Sequence, residues 1–276
     1  MARVHHVNTT TMCPFGGSLI MGGDGTRFAR ATMVCHCLVV ETKAGLVLVD
    51  TGLYATTDFE TLRIGVIEQA GLAAPLLREE LALSQVKALG FSPKDVRNVI
   101  PTHLDLDHAG GLADFPHAAV HVMEKEHAAA IARARFFEKR RYIPRHFEGV
   151  RFIRHEVDGE TWKGFDCVRP LPETGDEVLL VPLYGHSRGH AGVAVKNDDG
   201  TWVVHCGDAY FSKQEIAEGV DAPPALEFFQ RNVAIDDKMR RKNRDRVRTL
   251  VKDHADVRVF SAHSLAELED FRTARA

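Results

Sequence analysis

Residues 102–111 read Thr102-His103-Leu104-Asp105-Leu106-Asp107-His108-Ala109-Gly110-Gly111. Four side chains of metal-ligating type fall within six positions, just after the short strand-like run Val96–Ile100 and its stop at Pro101. His103, Asp105 and Asp107 share one parity, so an extended segment points them the same way. His108 breaks that parity and needs the chain to turn, and Ala109-Gly110-Gly111 supplies backbone freedom for it. Converging imidazoles and carboxylates suit a divalent cation and are what an apolar core avoids. The plainer alternative is a solvated acidic turn with two incidental histidines.

Three later strand ends weigh against that alternative. Leu180–Leu183 leads to His186 and then His190, Val203–Cys206 leads to Asp208, and Val259–Ser261 leads to His263. A single histidine at a strand end is ordinary, but four such ends in one chain are harder to assign to chance. Upstream, the apolar Leu46–Val49 run ends at Asp50-Thr51-Gly52, and its unbroken apolarity predicts a strand covered on both faces. It pairs in a predicted hairpin with Cys35–Glu41 around Thr42-Lys43-Ala44.

Further helices are expected over Leu76–Leu89, Glu124–Arg141, Asp236–His254 and Leu265–Arg275, with Gly90 ending the first. Ser92-Pro93-Lys94-Asp95 has the form of a helix cap with Pro at the first position. Strands are expected at Ala118–Val122, Val178–Leu183, Gly192–Lys196, Thr201–Cys206 and Val257–Ser261, with Asp199-Gly200 as a hairpin turn. Two runs of alternating strands and helices predict an α/β layered architecture. No Pro/Gly/Ser-rich linker divides the chain, so residues 1–276 read as one domain.

The 276 residues are 26% charged and 45% hydrophobic, with a formal net charge of −3. This balance excludes disordered, collagen-like and coiled-coil chains and gives no general attraction to nucleic acid or anionic lipid. No stretch approaches the roughly 18 apolar residues that span a bilayer, and the N-terminal residues lack the apolar core of a secretory signal. Five cysteines without a scaffold pattern read as reduced thiols, hence a cytoplasmic location. Cys35-His36-Cys37 puts two thiols on one strand face but offers no second ligand pair, so buried thiols are expected there. Gly22-Gly23-Asp24-Gly25 lacks a following Lys-Ser/Thr, so no phosphate loop is expected.

Taken in order, Asp50, the His103–His108 cluster, Gly-His186-Ser-Arg-Gly-His190, Gly-Asp208 and Ala-His263 resemble the metallo-β-lactamase fold superfamily over roughly residues 35–265. Within it the chain is most similar to the N-acyl homoserine lactone lactonases, through Val-Asp-Thr-Gly-Leu, Asp-His-Ala-Gly-Gly and the Gly-His-Ser-x-Gly-His run. The resemblance implies a four-layer αβ/βα sandwich with two divalent metal ions at one edge. His103, Asp105 and His186 would hold the first metal; Asp107, His108 and His263 the second; Asp208 would bridge them. Asp50 and His190 would support these ligands by hydrogen bonds.

Two positions depart from the family. Its cluster reads His-x-His-x-Asp-His, and Asp105 replaces the second histidine. Zinc is the first expectation, yet a harder carboxylate ligand also admits iron or manganese. The flavodiiron oxygen reductases, which share the fold, carry a glutamate at that place. The lactonases have a catalytic tyrosine three residues after the bridging aspartate; here that position is Phe211, and Tyr210 precedes it as the candidate donor to an oxyanion.

Two divalent ions can bind one water between them and lower its pKa from 15.7 toward about 7. The implied function is a dinuclear metallohydrolase that cleaves a small ester or lactone, with Asp107 orienting the nucleophile and moving its proton. The alternatives are a thioester or phosphodiester hydrolase, a diiron oxidoreductase or oxygen-binding protein, and a non-catalytic metal-binding module. No serine or cysteine nucleophile is required, so an α/β-hydrolase triad is not expected. The aromatic and basic region Glu124–Trp162 reads either as an amphipathic helix with a solvated basic face or as a lid whose aromatics bind an acyl chain and whose arginine meets a substrate carboxylate. The basic run Met239–Lys252 is diluted by aspartates and reads as a solvated helix. A small-molecule substrate is expected, without a nucleic-acid or membrane partner; a homodimer is left open.

Overall fold

Strands with apolar residues on both parities need cover on both faces, and two such strands set the layers of this protein. The computed structural model describes residues 2–14, 16–20, 30–61, 73–75, 77–171, 177–217, 220 and 222–273. Arg3–Met12 (β1), Met33–Thr42 (β2), Gly45–Val49 (β3), Val96–Ile100 (β4), Ala119–Met123 (β5) and Arg151–His155 (β6) form a six-stranded sheet in chain order. The first three strands are antiparallel, and β3 to β6 run parallel. A short hairpin, Thr161–Trp162 (β7) and Phe165–Asp166 (β8), leads to a second sheet. That sheet contains Val178–Pro182 (β9), Ala191–Lys196 (β10), Trp202–His205 (β11) and Val257–Phe260 (β12), ordered β12-β11-β10-β9.

Alternation sends Leu38, Val40, Val47 and Val49 to one face, where they meet Leu180, Val193, Val195, Val203 and Phe260 of the second sheet. Cys37, Val39, Leu46 and Leu48 go to the other face, under Ala82 and Val86 of the Ala82–Ala88 helix and Ala129 and Ala130 of the Glu124–Ala132 helix. The outer face of the second sheet packs Leu179, Val181 and Val204 against Val247 and Leu250 of the Asp237–Asp253 helix. The result is the expected four-layer αβ/βα sandwich. Each fully buried Val or Leu contributes roughly 1.5–3 kcal/mol, so the doubly covered strands anchor the fold.

The predicted hairpin turns at Lys43-Ala44, and Gly200, at φ +87°, turns β10 into β11. β1 was not expected. Its run Arg3–Met12 is rich in His and Thr, and its pairing with β2 shifts register between Asn8 and Thr11, which breaks any period-2 pattern. The expected helix Leu76–Leu89 shortens to Ala82–Ala88 after a 3-10 turn at Arg78–Glu80; Leu76 lies outside the described residues, as does Gly22-Gly23-Asp24-Gly25. The Ser92 cap forms, but it caps a single 3-10 turn, Pro93–Asp95, that runs straight into β4.

The expected helix Glu124–Arg141 is two helices. Arg133 takes the left-handed conformation, φ +44°, and ends Glu124–Ala132; a second helix follows over Phe136–Arg141. The candidate lid is dispersed among other tasks. Tyr142 is buried, Phe147 and Phe152 pack on the first core, Trp162 lies 4.9 Å from Trp202, and β6 belongs to the sheet. Phe136 and Phe137 are exposed. In the basic helix Asp237–Asp253, Arg240 is buried on Asp237, Gln230 and Glu227, Arg241 pairs with Asp237 and Glu227, and Arg244 faces Glu215 and Glu227. These arginines tie the helix to the fold.

The turn after His108 depends on close approach more than on special dihedrals. Gly110 has helical dihedrals, φ −63°, but a Cβ there would lie 2.0 Å from Leu53 O, and one on Gly111 would lie 2.4 Å from Thr51 O. The cluster is thereby pressed onto the segment that follows β3. Gly110→Ala is expected to destabilise the protein by about 2 kcal/mol or more, read by denaturant unfolding, because rigid backbone must move.

Candidate metal centre

Each donor-bearing segment leaves its strand at the C-terminal end: Asp50 after β3, His103 after β4, His186 after β9, Asp208 after β11 and His263 after β12. The strands β3 and β4 are parallel, as are β11 and β12, so the two sheets release these residues along one edge. The Leu106–Ala109 helix brings the cluster back across it. Asp105 occupies the N-cap of that helix without using its carboxylate as a cap, which leaves the carboxylate free to face the histidines.

The donors fall into two groups. Asp105 Oδ2 lies 3.3 Å from His103 Nε2 and 3.2 Å from His186 Nε2. Asp107 Oδ2 lies 3.8 Å from His108 Nε2 and 3.5 Å from His263 Nε2. Asp208 stands between them. Its Oδ2 is 3.4 Å from His186 Nε2 and 3.9 Å from His103 Nε2, while its Oδ1 is 3.3 Å from His108 Nε2 and 3.2 Å from His263 Nε2. The histidines and Asp208 are buried; Asp105 and Asp107 are partly buried.

Bonds on the far side of each ring set the tautomer. His108 Nδ1 donates to Asp50 Oδ2 at 2.8 Å, His263 Nδ1 to Val34 O at 2.9 Å, and His103 Nδ1 to Thr102 Oγ1 at 3.1 Å. Thr102 in turn donates through N and Oγ1 to the Asp50 carboxylate at 2.7 and 3.0 Å. All three Nε2 lone pairs are thus aimed into the cluster. Asp50 does not reach the cluster itself; it holds this carboxylate position from a strained left-handed backbone, φ +60°. His190 also stays outside. Its Nδ1 donates to Leu183 O at 3.0 Å and its Nε2 accepts the Asp208 N–H at 2.9 Å, so it positions the backbone of Asp208.

Buried His103 Nε2, His108 Nε2 and Asp208 Oδ1 have no hydrogen-bond partner. Such orphaned atoms are costly unless something binds them, and imidazole and carboxylate donors facing one another fit a divalent cation. Electrostatics agree. Burial would lower the His108 pKa, yet Asp208, Asp50 and Asp107 hold it well above the usual histidine value. Burial likewise opposes ionisation of Asp50, but His108, His205 and His103 bring its carboxyl down to about 2. Without metal, protonated imidazoles take over part of the positive charge that this space demands.

Several contributors were not singled out in the sequence. Arg141 Nε lies 3.3 Å from Asp105 Oδ1, and its other nitrogens donate to His186 O and Val233 O. It is one of nine Lys and Arg residues within Glu124–Trp162, and only the fold distinguishes it from the others. Buried Glu126 accepts from Leu104 N, Tyr142 Oη, Ser187 Oγ and Gly189 N, and so joins the His103 loop to the His186 loop. Gly185-His186-Ser187-Arg188-Gly189 has the spacing of the Gly-x-Ser-x-Gly pattern of serine hydrolases. Its serine is fully buried and donates to Glu126 Oε2 at 2.6 Å, so it presents no nucleophile.

Tyr210 is not brought to the cluster. Its buried hydroxyl donates to Glu267 Oε1 at 2.8 Å, behind the site. Strand-end alternation turns Phe211 inward instead, where its ring stacks on His263 with centroids 5.0 Å apart. The expected oxyanion role of Tyr210 therefore has no geometric support.

The model of the metallo-beta-lactamase superfamily matches residues 31–263. A probable metallo-hydrolase of Mycobacterium tuberculosis is 37% identical over 264 residues, covering 95% of this chain and 80% of that one. An N-acyl homoserine lactonase of Bacillus thuringiensis is 26% identical over 185 residues, 67% of each chain. A solved N-acyl homoserine lactone hydrolase with N-hexanoyl-L-homoserine bound at its catalytic metal centre superposes with a TM-score of 0.71 at 21% identity, covering 97% and 95% of the two chains. With the sandwich, the strand-end donors and the family match together, this chain belongs to the metallo-beta-lactamase superfamily.

Proposed function

We propose that this metal-dependent hydrolase holds two divalent cations and cleaves a small ester or lactone. The observation that carries the reading is Asp208, whose two oxygens face separate donor groups. His103, Asp105 and His186 would hold one cation, Asp107, His108 and His263 the other, with Asp208 shared. Asp105, Asp107 and Asp208 place three carboxylates in one space, with Asp50 behind His108 and the Arg141 guanidinium beside Asp105. Two divalent ions would offset that charge. When bound, such a pair supplies a water acidified toward neutral pH and Lewis acidity for a carbonyl.

The chain's own residues then divide the work. Asp107 Oδ2 faces His108 and His263, which leaves its other oxygen to accept the nucleophile's proton and pass it to the leaving alkoxide. Phe211 walls the His263 side and excludes water there. Arg141, committed to Asp105 and two carbonyls, fixes the geometry of the first group. The metallo-hydrolase and lactonase relatives favour hydrolysis, and the lactonase favours a cyclic ester.

Zinc remains the first expectation, and Asp105 keeps iron or manganese open. The same carboxylate favours a second reading, a diiron oxidoreductase. A metal-loaded panel of lactones, linear esters and thioesters, run with elemental analysis, separates the two. Bound iron with an EPR signal and no hydrolytic turnover would select the oxidoreductase.

Replacing His108 or His263 by alanine is expected to lower turnover by more than about 100-fold while circular dichroism and cooperative melting persist. Full turnover in either purified variant would refute the ligand assignment. Asp105→His is expected to keep two metals but shift their content toward zinc, measured by plasma emission; unchanged content would remove Asp105 from the set. In metal-free protein, the raised His108 pKa gives an imidazolium whose stabilisation is whole below pH about 6.5 and fades as pH rises through the raised value. Calorimetry should therefore show the melting temperature of metal-free protein falling across that range, with little change when the metals are bound.

A further inference from the structure

β2 presents a thiol to the second donor group. On one edge of the strand, His263 Nδ1 donates to Val34 O at 2.9 Å and His36 N donates to Ala262 O at 2.8 Å. These bonds flank Cys35 and lock the strand to the segment that carries His263. On the other edge, Cys35 N donates to Asn8 Oδ1 and Thr9 Oγ1 donates to Cys35 O, both at 3.2 Å. Cys35 is 2% exposed and held on both sides. Its Sγ, a carboxylate oxygen of Asp107 and a ring nitrogen of His263 all lie within 4.8 Å of one another. Two buried atoms without hydrogen-bond partners, His108 Nε2 and Asp208 Oδ1, face the same group. Cys37, by contrast, sits with Sγ 3.0 Å from Thr9 Oγ1.

We propose that Cys35 is a sulfur ligand of the second cation, completing a set of one thiolate, two imidazoles and carboxylate oxygen. The inference rests on the dinuclear reading above. Binding breaks the S–H bond, forms a sulfur–metal bond and releases the proton to solvent, with no change of oxidation state. The two positions then differ in kind. The first has the hard Asp105 carboxylate beside Arg141, and the second has a soft thiolate that selects zinc-like metals.

The test is cobalt substitution of the full chain, stripped with a chelator and titrated with Co(II). Loaded wild-type protein should develop thiolate-to-cobalt charge-transfer absorption in the near ultraviolet. Cys35→Ser should lose it and bind one cobalt at least about 10-fold more weakly, while Cys37→Ser keeps it. Two bound cobalt ions with ligand-field bands but no charge-transfer band would overturn the assignment and leave the dinuclear reading intact. Persistence of the band in Cys35→Ser would also overturn it. Failure to bind cobalt at all would sink both. Should Cys35→Ser not fold, cadmium-113 NMR of the wild-type protein decides, since a sulfur-ligated cadmium resonates far downfield of a nitrogen–oxygen one.

Discussion

Three carboxylates, those of Asp105, Asp107 and Asp208, meet at one edge of the sandwich with Asp50 behind His108, and charges of one sign packed this closely demand positive charge between them. The rest of the local structure follows from that demand. Six histidines gather around these carboxylates, four with Nε2 toward the cluster, His190 at the backbone of Asp208 and His205 3.5 Å from Asp50 Oδ2. Protonated imidazole meets part of the demand when no metal is bound, as the raised His108 pKa indicates. Divalent cations would meet it more completely, which links metal binding to the stability of the fold.

The scaffold makes the crowding possible. Two sheets bury a common apolar face, and their strand ends open along one side. The loops leaving those ends are cross-braced by buried polar groups. Asp50 joins Thr102 to His108, Glu126 joins Leu104 to Ser187 and Gly189, and Val34 holds His263. Each brace is fully buried, where a hydrogen bond to a charged group contributes more than at the surface. The left-handed backbone of Asp50 is one strain that this network sustains.

The two donor groups are chemically unequal. Asp105 and its arginine give the first group a hard, charge-compensated character, whereas the second lies against Cys35 and Phe211. Such asymmetry would give two bound cations different affinities, and it sets this protein apart from an arrangement with histidine at position 105.

Much of this was legible in the chain itself. The continuous apolarity of Leu46–Val49 announced a doubly covered strand, and the donor residues could be named from their place just beyond strand ends, where side chains converge on one edge. Other features could not be read. β1 is disguised by a register shift, one expected helix breaks at Arg133, and Tyr210 faces Glu267 because backbone alternation turned Phe211 inward. Arg141 and Cys35 carry no local signal, since their meaning depends on partners 36 and 72 positions away, Asp105 and Asp107. Local patterning and residue chemistry determined the layers and the candidate donors. Tertiary structure alone decided which oxygen faces which nitrogen, because ångström-scale distances between remote segments arise only when both sheets pack.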